Sequence, residues 1–199
     1  MGIIRGGNAE YESASPSLEG KTPKVEETIL QALDKATLNL SGKHFSADET
    51  IILSRSEILK TVKFLDLSDN RIGNLELKTL SPFLQNIEEL HLGINSFTDE
   101  GVVELARCQE LKNLRVLSLN DNRLTDVSIA EIVKSPNLGN LEALSLGWNL
   151  IGNGTAKALE ETRTLVKLKR LDLERNYIDN EGVVELLKAR SLANLEELN

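Results

Sequence analysis

A pattern of leucine and asparagine recurs through the chain and limits what it can fold into. Five segments match LxxLxLxxNxL with apolar residues at the L positions: 62–72, 87–97, 114–124, 141–151 and 168–178. Their asparagines are Asn70, Asn95, Asn122, Asn149 and Asn176, at spacings of 25, 27, 27 and 27 residues. A weaker copy at 35–45 has Lys43 where asparagine is expected. Such a period predicts stacked copies of one supersecondary unit.

The residues between these segments have helical spacing. Segments such as 98–108 and 180–190 carry acidic residues in their first turn, which favours a short helix in each unit. Apolar residues recur ten positions after the asparagine position, at Leu53, Leu80, Leu105, Ile132, Leu159 and Leu186. A later apolar column holds Leu59, Leu84, Leu111, Leu138, Leu165 and Leu192. We expect both columns to face the core.

From about residue 35 to its end, the chain resembles the leucine-rich repeat family. Its unit length, the helix in each unit and the GVVEL segments look most like the ribonuclease-inhibitor-like subfamily. The resemblance implies an α/β solenoid with a parallel sheet on the concave face and short helices on the convex face. Strands lie about 4.8 Å apart, whereas packed helices need about 8 to 10 Å. The stack is therefore expected to bend into a horseshoe arc.

The two ends differ from the repeats. Residues 1–22 are rich in Gly, Ser, Glu and Pro and are predicted to form a flexible tail, followed by a leucine-rich repeat domain at 23–199. Within that domain, 23–36 is predicted to be a capping helix, and 37–199 holds repeats of about 27 residues with the last one incomplete. Pro23 suits the first helical turn. The apolar face of this helix is predicted to consist of Val25, Ile29, Leu30 and Leu33.

No capping segment follows Leu195 and Leu198. An uncovered edge strand favours pairing with another chain. We therefore expect either a continuation of the chain or an association at this edge.

The recurring asparagines are predicted to form a structural ladder. Each lies where the chain leaves its strand, and its amide can bond backbone groups of its own turn and of the next turn. Lys43 has no acceptor, which fits an end repeat exposed to water.

The residues beside the paired leucines are predicted to point outward on the concave face. The column before the asparagines reads Gly42, Asp69, Ile94, Asp121, Trp148 and Arg175, an order that no packing rule produces. Trp148 is the only tryptophan, and the small Ser145 and Gly147 beside it leave room for a partner's side chain. Large exposed aromatics are common energetic anchors of interfaces. The alternative is that Trp148 lies over Ala143, Ser145 and Arg175 as cover within the chain, or packs on a tail.

We therefore predict a protein-binding surface centred on Trp148. Its other members are Ile94, Asp121, Arg175, His91, Asp172, Glu174, Val116, Asp69 and Phe64. Asp66 adds to its acidic rim, which Arg170 and Arg175 interrupt.

Charge and composition exclude several classes of function. The net charge of −8 disfavours nucleic acid and anionic membranes and favours a basic protein partner. One cysteine and two histidines give no metal constellation, and no nucleophile motif or phosphate loop occurs. The chain is predicted to be non-enzymatic, without cofactor or metal, and cytoplasmic, with secretion as an effector as the alternative. Gly6 departs from the usual myristoylation pattern that begins at Gly2, and lipidation is left open.

Two alternatives to a simple binding scaffold remain. Some helix-containing leucine-rich repeat proteins stimulate GTP hydrolysis through polar loop residues, and Arg71 and Arg123 directly follow ladder asparagines. The other alternative is that the chain is the recognition portion of a larger sensor or effector protein.

Overall fold

The repeats build a single eight-stranded sheet whose strands follow one another in chain order. The structure, a computed structural model, describes residues 16–189 and 192–199. The strands are β1 (Leu33–Asp34), β2 (Thr37–Asn39), β3 (Phe64–Asp66), β4 (Glu89–His91), β5 (Val116–Ser118), β6 (Ala143–Ser145), β7 (Arg170–Asp172) and β8 (Glu197–Leu198). Strands β2 to β8 are parallel, and β1 pairs with β2 in the antiparallel sense.

Seven α-helices accompany the strands in the part of the chain that the structure describes. They are α1 (Pro16–Ala32), α2 (Ala47–Ser54), α3 (Asn74–Leu80), α4 (Asp99–Arg107), α5 (Asp126–Ile132), α6 (Asn153–Glu161) and α7 (Asn180–Lys188). Within the described ranges, short 3-10 turns at Glu57–Lys60, Ser81–Phe83, Gln109–Asn113 and Pro136–Leu138 follow α2, α3, α4 and α5. The predicted solenoid with alternating strands and helices is confirmed.

The core consists of aliphatic layers between the sheet and the helices. The central leucine of each strand from β2 to β6 is fully buried, and so is the leucine two positions later in β2 to β6; examples are Leu65 and Leu67. Both predicted helical columns are also buried, with Leu186 and Leu192 the most exposed members at 7% and 8%. Full burial of each such side chain contributes about 1.5 to 3 kcal/mol, which is why the stack needs few aromatics.

The asparagine ladder joins each repeat to the one before it. The Nδ2 of Asn122 donates to the carbonyls of Leu119 and Asn120 in its own turn and to Leu92 of the preceding repeat, at 3.1, 3.1 and 3.2 Å. Its Oδ1 accepts the N–H of Phe97, also in the preceding repeat, at 3.0 Å. The predicted bonds to the following turn were therefore wrong in direction. The first repeat follows a hairpin instead of another repeat turn, so with Lys43 it lacks only the bonds that a ladder asparagine donates within its own turn.

The N-terminal cap is longer than the sequence pattern indicated. Helix α1 begins at Pro16, inside the segment predicted to be flexible, and Pro23 lies in its interior. Leu18 extends the buried face formed by Val25 and Ile29, and this burial favours the earlier start. Residues 1–15 of the predicted tail lie outside the described residues.

Two predicted members of the capping face lie elsewhere. Leu30 is 48% exposed. Leu33 lies in β1, where it pairs with Leu38 across a hairpin whose turn residue Lys35 has a φ of 55°. This hairpin, which the sequence analysis missed, covers the free edge of β2.

The last strand is less covered. Leu198 of β8 is 43% exposed, whereas Leu171, its partner in β7, is 1% exposed. Leu195 is half-buried against the core.

Candidate binding edge on the concave face

One column of the concave face has a backbone conformation that most side chains avoid. All six residues before the asparagine position have positive φ, between 51° and 65°; we call them the left-handed column, and they are Gly42, Asp69, Ile94, Asp121, Trp148 and Arg175. Glycine and aspartate tolerate this region, whereas β-branched and bulky residues are outliers there. The conformation explains Gly42, Asp69 and Asp121, but it does not explain Ile94 and Trp148.

Trp148 is exposed on one side and covered on the other. It is 56% exposed, as predicted. The guanidinium carbon of Arg175 lies 5.1 Å from the centre of its ring, so the alternative of cover by Arg175 also holds for part of the indole. Arg175 is held in turn by Glu174, with 3.4 Å between Nε and Oε1. One part of the indole is thus available to a partner, while a cation–π contact orients the ring.

The small residues beside Trp148 do not form an open pocket. A Cβ on Gly147 would lie 3.2 Å from the Asp172 carboxylate and 3.3 Å from the Glu174 carbonyl. Gly147 is therefore needed for close approach of the next repeat, and the expected room for a partner lies beside the exposed part of the ring.

Two exposed residues that the sequence analysis missed extend this surface. Leu150 and Tyr177 directly follow the ladder asparagines and are 49% and 69% exposed. The signal was present in the 27-residue period, since the same column reads Arg71, Ser96, Arg123, Leu150 and Tyr177. Its apolar members occupy the same repeats as Trp148 and Arg175.

Ile94 lies between two acidic neighbours in the left-handed column. It is 52% exposed, and Asp69 and Asp121 are exposed in the adjoining repeats. Neither carboxylate has a hydrogen-bond or ion-pair partner within residues 16–189 and 192–199. We call Asp69, Ile94, Asp121, Trp148, Leu150, Arg175 and Tyr177 the concave edge.

The other predicted site residues make more contacts within the chain. Phe64 on β3 and His91 on β4 are diagonal neighbours, since Phe64 is in register with Glu89, and their ring centres are 4.9 Å apart. The Nε2 of His91 is 3.9 Å from a Glu89 carboxylate oxygen. Val116 is half-buried on β5. These residues form a partly closed surface beside the concave edge.

The acidic rim divides into two kinds of carboxylate. Asp66 accepts the N–H of Ser68, and Asp172 accepts that of Glu174, each at 2.9 Å. Both therefore stabilise their own turns. Glu174 is exposed and pairs only with Arg175 among the described residues.

The chemistry available elsewhere is limited. Burial and the neighbouring Glu110 raise the pKa of the Cys108 thiol to about 11, which leaves it protonated near neutral pH. The described ranges contain no group of three or more His, Cys, Asp or Glu residues placed to hold a metal ion. None of the helices in those ranges has the length and apolarity needed to cross a membrane.

Comparison with known proteins agrees with the repeat architecture. A model of the Leucine Rich repeat family matches residues 59–80, 83–106, 110–133 and 164–187. No curated protein sequence gives a match.

Several solved structures are similar to the chain. A leucine-rich repeat protein of Leptospira interrogans is 28% identical with a TM-score of 0.50, and the match covers 81% of this chain and 34% of that one. Internalin C2 of Listeria monocytogenes is 20% identical with a TM-score of 0.48, over 82% and 80% of the two chains. A second Listeria monocytogenes internalin is 18% identical with a TM-score of 0.43, over 81% and 58%. The chain thus spans about a third of the Leptospira protein.

The family match falls on units that stack in register and share the asparagine ladder. This chain has a leucine-rich repeat fold.

Proposed function

We propose that the chain is a non-catalytic scaffold that holds a protein partner against the concave edge. The observation that carries this proposal is the combination of exposure and backbone strain at Ile94 and Trp148. Both large apolar side chains are more than half exposed, and both occupy left-handed backbone.

Repeat stacking does not require these two residues. Left-handed backbone in a non-glycine residue costs on the order of 1 to 3 kcal/mol when the residue is unsuited to it. Asp69 and Asp121 occupy the same position in neighbouring repeats, so the fold accepts residues that suit the conformation better. Strained, half-exposed apolar residues favour a role in binding.

The charges on the edge support a basic partner. Asp69 and Asp121 leave their carboxylates unpaired within the described part of the chain, and the whole chain carries a net charge of −8. A complementary positive surface would also associate faster with such an edge.

The lengths of the helices support the ribonuclease-inhibitor-like subfamily. Helices α2 to α7 have seven to nine residues, and each lies between two consecutive parallel strands. We also infer a cytoplasmic location, for which the unpaired Cys108 is the supporting observation.

The proposal is tested by affinity capture with matched variants of the chain. Trp148→Ala should lower the affinity for captured partners about 30-fold or more, the factor that corresponds to about 2 kcal/mol at an interface anchor. Val127→Ala is the control, because Val127 is 61% exposed on α5, on the opposite side of the solenoid. Circular dichroism verifies that each variant is folded. Equal recovery by wild type and Trp148→Ala would reject the concave edge.

A further inference from the structure

The left-handed column is a regular row that crosses the strands. The N–H groups of Asp69, Ile94, Asp121 and Trp148 each donate to a carbonyl of the next repeat at 2.8 to 2.9 Å. Because strand register persists through this position, neighbours in the row lie about 4.8 Å apart. Asp69 and Trp148 are then about 14 Å apart, at three such steps.

The row alternates in chemistry. It reads acidic, apolar, acidic, aromatic from Asp69 to Trp148, and Arg175 follows. The two apolar members are 52% and 56% exposed. A complementary partner therefore needs basic and apolar groups in alternation, in one line, at steps of about 4.8 Å.

A helix provides this spacing and a strand does not. Residues three and four apart lie on one helical face and rise about 4.5 to 6 Å. Same-face residues of an extended strand are about 6.6 to 6.8 Å apart, so a strand loses register by about 2 Å at every step.

We propose that the occupant of the concave edge is a basic amphipathic helix of a partner protein, lying across the strands. Its lysines or arginines face Asp69 and Asp121, and its aliphatic side chains pack on Ile94 and on the exposed part of Trp148. This inference rests on the proposed function and names the class of partner.

Charge at the two ends of the row orients the helix. Arg170 and Arg175 lie toward the C-terminal repeats and are exposed. Arg175 is paired with Glu174 at 3.4 Å, whereas Asp69 lies at the opposite end with its carboxylate unpaired among the described residues. The more basic end of the partner helix therefore lies over β3, and its more apolar end lies over Trp148.

The test uses a synthetic peptide and the intrinsic fluorescence of the chain. The peptide has about 20 residues, enough to form a helix, with lysine and leucine alternating along one face and no tryptophan. Since Trp148 is the only tryptophan in the chain, a blue shift of its emission and protection from a soluble quencher report binding at the edge. Two comparison peptides are used: a scrambled peptide of the same composition, and a peptide in which one central residue is replaced by proline.

We expect the helical peptide to bind at least ten-fold more tightly than either comparison peptide. Asp121→Lys should weaken its binding at least ten-fold, and added salt should weaken it further. Glu161→Lys makes the same change in net charge at an exposed position of α6, and it should have a much smaller effect.

Three results would overturn the helical assignment: no response of Trp148 to the helical peptide, equal binding of the scrambled peptide, or equal effects of the two charge reversals. Affinity capture with Trp148→Ala tests the proposed function separately. A captured partner that needs Trp148 but contacts it through an extended segment would overturn the helical assignment and leave the proposed function in place.

Discussion

The helical side of the solenoid and its concave edge use exposed positions in opposite ways. On the helical side, the first residue of a helix bonds to the next repeat. Asp126 accepts the N–H groups of Gly152 and Thr155, both at 2.9 Å. Asn153 makes the corresponding bonds to Asp179, donating at 2.8 Å and accepting at 3.1 Å. These polar side chains are explained by repeat stacking.

In the loops that precede the strands, polar side chains also bond a neighbouring repeat. Asn86, Asn113, Asn140 and Asn194 each donate to a carbonyl of the preceding repeat, at 2.7 to 2.8 Å. A column of alternating charge runs beside them, comprising Lys63, Glu88, Arg115, Glu142, Lys169 and Glu196. Its closest pairs are Lys63 with Glu88 and Arg115 with Glu142, each at 2.6 Å.

The concave edge has no such explanation. Its carboxylates at Asp69 and Asp121 lack partners in the described ranges, and its apolar side chains are about half exposed or more. Scaffold residues and site residues of a repeat protein can therefore be told apart by their contacts. A repeated residue that bonds the next or preceding repeat belongs to the scaffold, whereas an exposed residue without such a contact marks a candidate site.

The largest effect is expected from the buried ladder. Asn149 is 4% exposed, and it donates to the carbonyls of Leu119 and Leu146 and accepts from the N–H of Leu124. Asn149→Ala leaves these buried groups unpaired and should lower the free energy of unfolding by about 3 kcal/mol. Urea denaturation monitored by circular dichroism measures the change.

Asn140→Ala is the matched control, because Asn140 belongs to the second row of asparagines, in the loops that precede the strands. Asn140 is exposed, and water can replace its bond to the Lys112 carbonyl, so the expected loss is below about 1 kcal/mol. Equal losses for the two variants would contradict the distinction between a buried ladder and an exposed one.

A carboxylate on the helical side should also make the stability of the fold depend on pH in the acid range. Burial alone would raise the pKa of Asp99, but bonds from Thr125 and Ser128 outweigh it and lower that pKa. A carboxylate with a lowered folded pKa stabilises the fold above the unfolded value of about 3.9 and loses this effect as pH falls through the folded pKa. We expect stability to decline in that window.

Asp99→Asn should lower the free energy of unfolding by about 1 kcal/mol at neutral pH, since the amide accepts fewer bonds. The variant should also show a smaller decline of the free energy of unfolding as pH falls. Urea unfolding at a series of pH values measures this decline. A decline as steep as that of the wild type would assign the acid sensitivity to other carboxylates.

Much of the scaffold could be predicted because stacked repeats need the same residue types at the same positions, and this need recurs in the sequence as a period. The period located the strands, the helices and the ladder. The hairpin at Leu33 and the start of α1 were missed because each occurs once and lies outside the period. The ladder bonds were predicted to reach the following turn but reach the preceding one. The sequence does not distinguish the two, because a side-chain amide can bond backbone groups of either neighbouring turn.

The site could be predicted only in part. Alternation placed Trp148 and Ile94 on the outer face, but no pattern revealed that their backbone is left-handed, since Asp, Ile, Trp and Arg share no propensity for it. Leu150 and Tyr177 were missed because the position after each ladder asparagine was considered only for its polar residues, Arg71 and Arg123.

The smallest effect tests the concave edge itself, and its sign is opposite to that of the others. Asparagine tolerates left-handed backbone, so Ile94→Asn should raise the free energy of unfolding by about 0.5 kcal/mol. Val116→Asn, on the same face but in the extended backbone of β5, should instead leave stability unchanged or lower it, because asparagine is disfavoured in strands. Urea denaturation of both variants measures the difference.

A gain in stability at Ile94 combined with weaker binding of the basic helical peptide would show that this residue serves recognition at the expense of the fold. The peptide assay with Trp148 fluorescence measures the second quantity on the same protein. A loss of stability in Ile94→Asn would instead mean that the isoleucine side chain packs favourably enough to offset its backbone strain. The left-handed column would then belong to the scaffold, like the helical side.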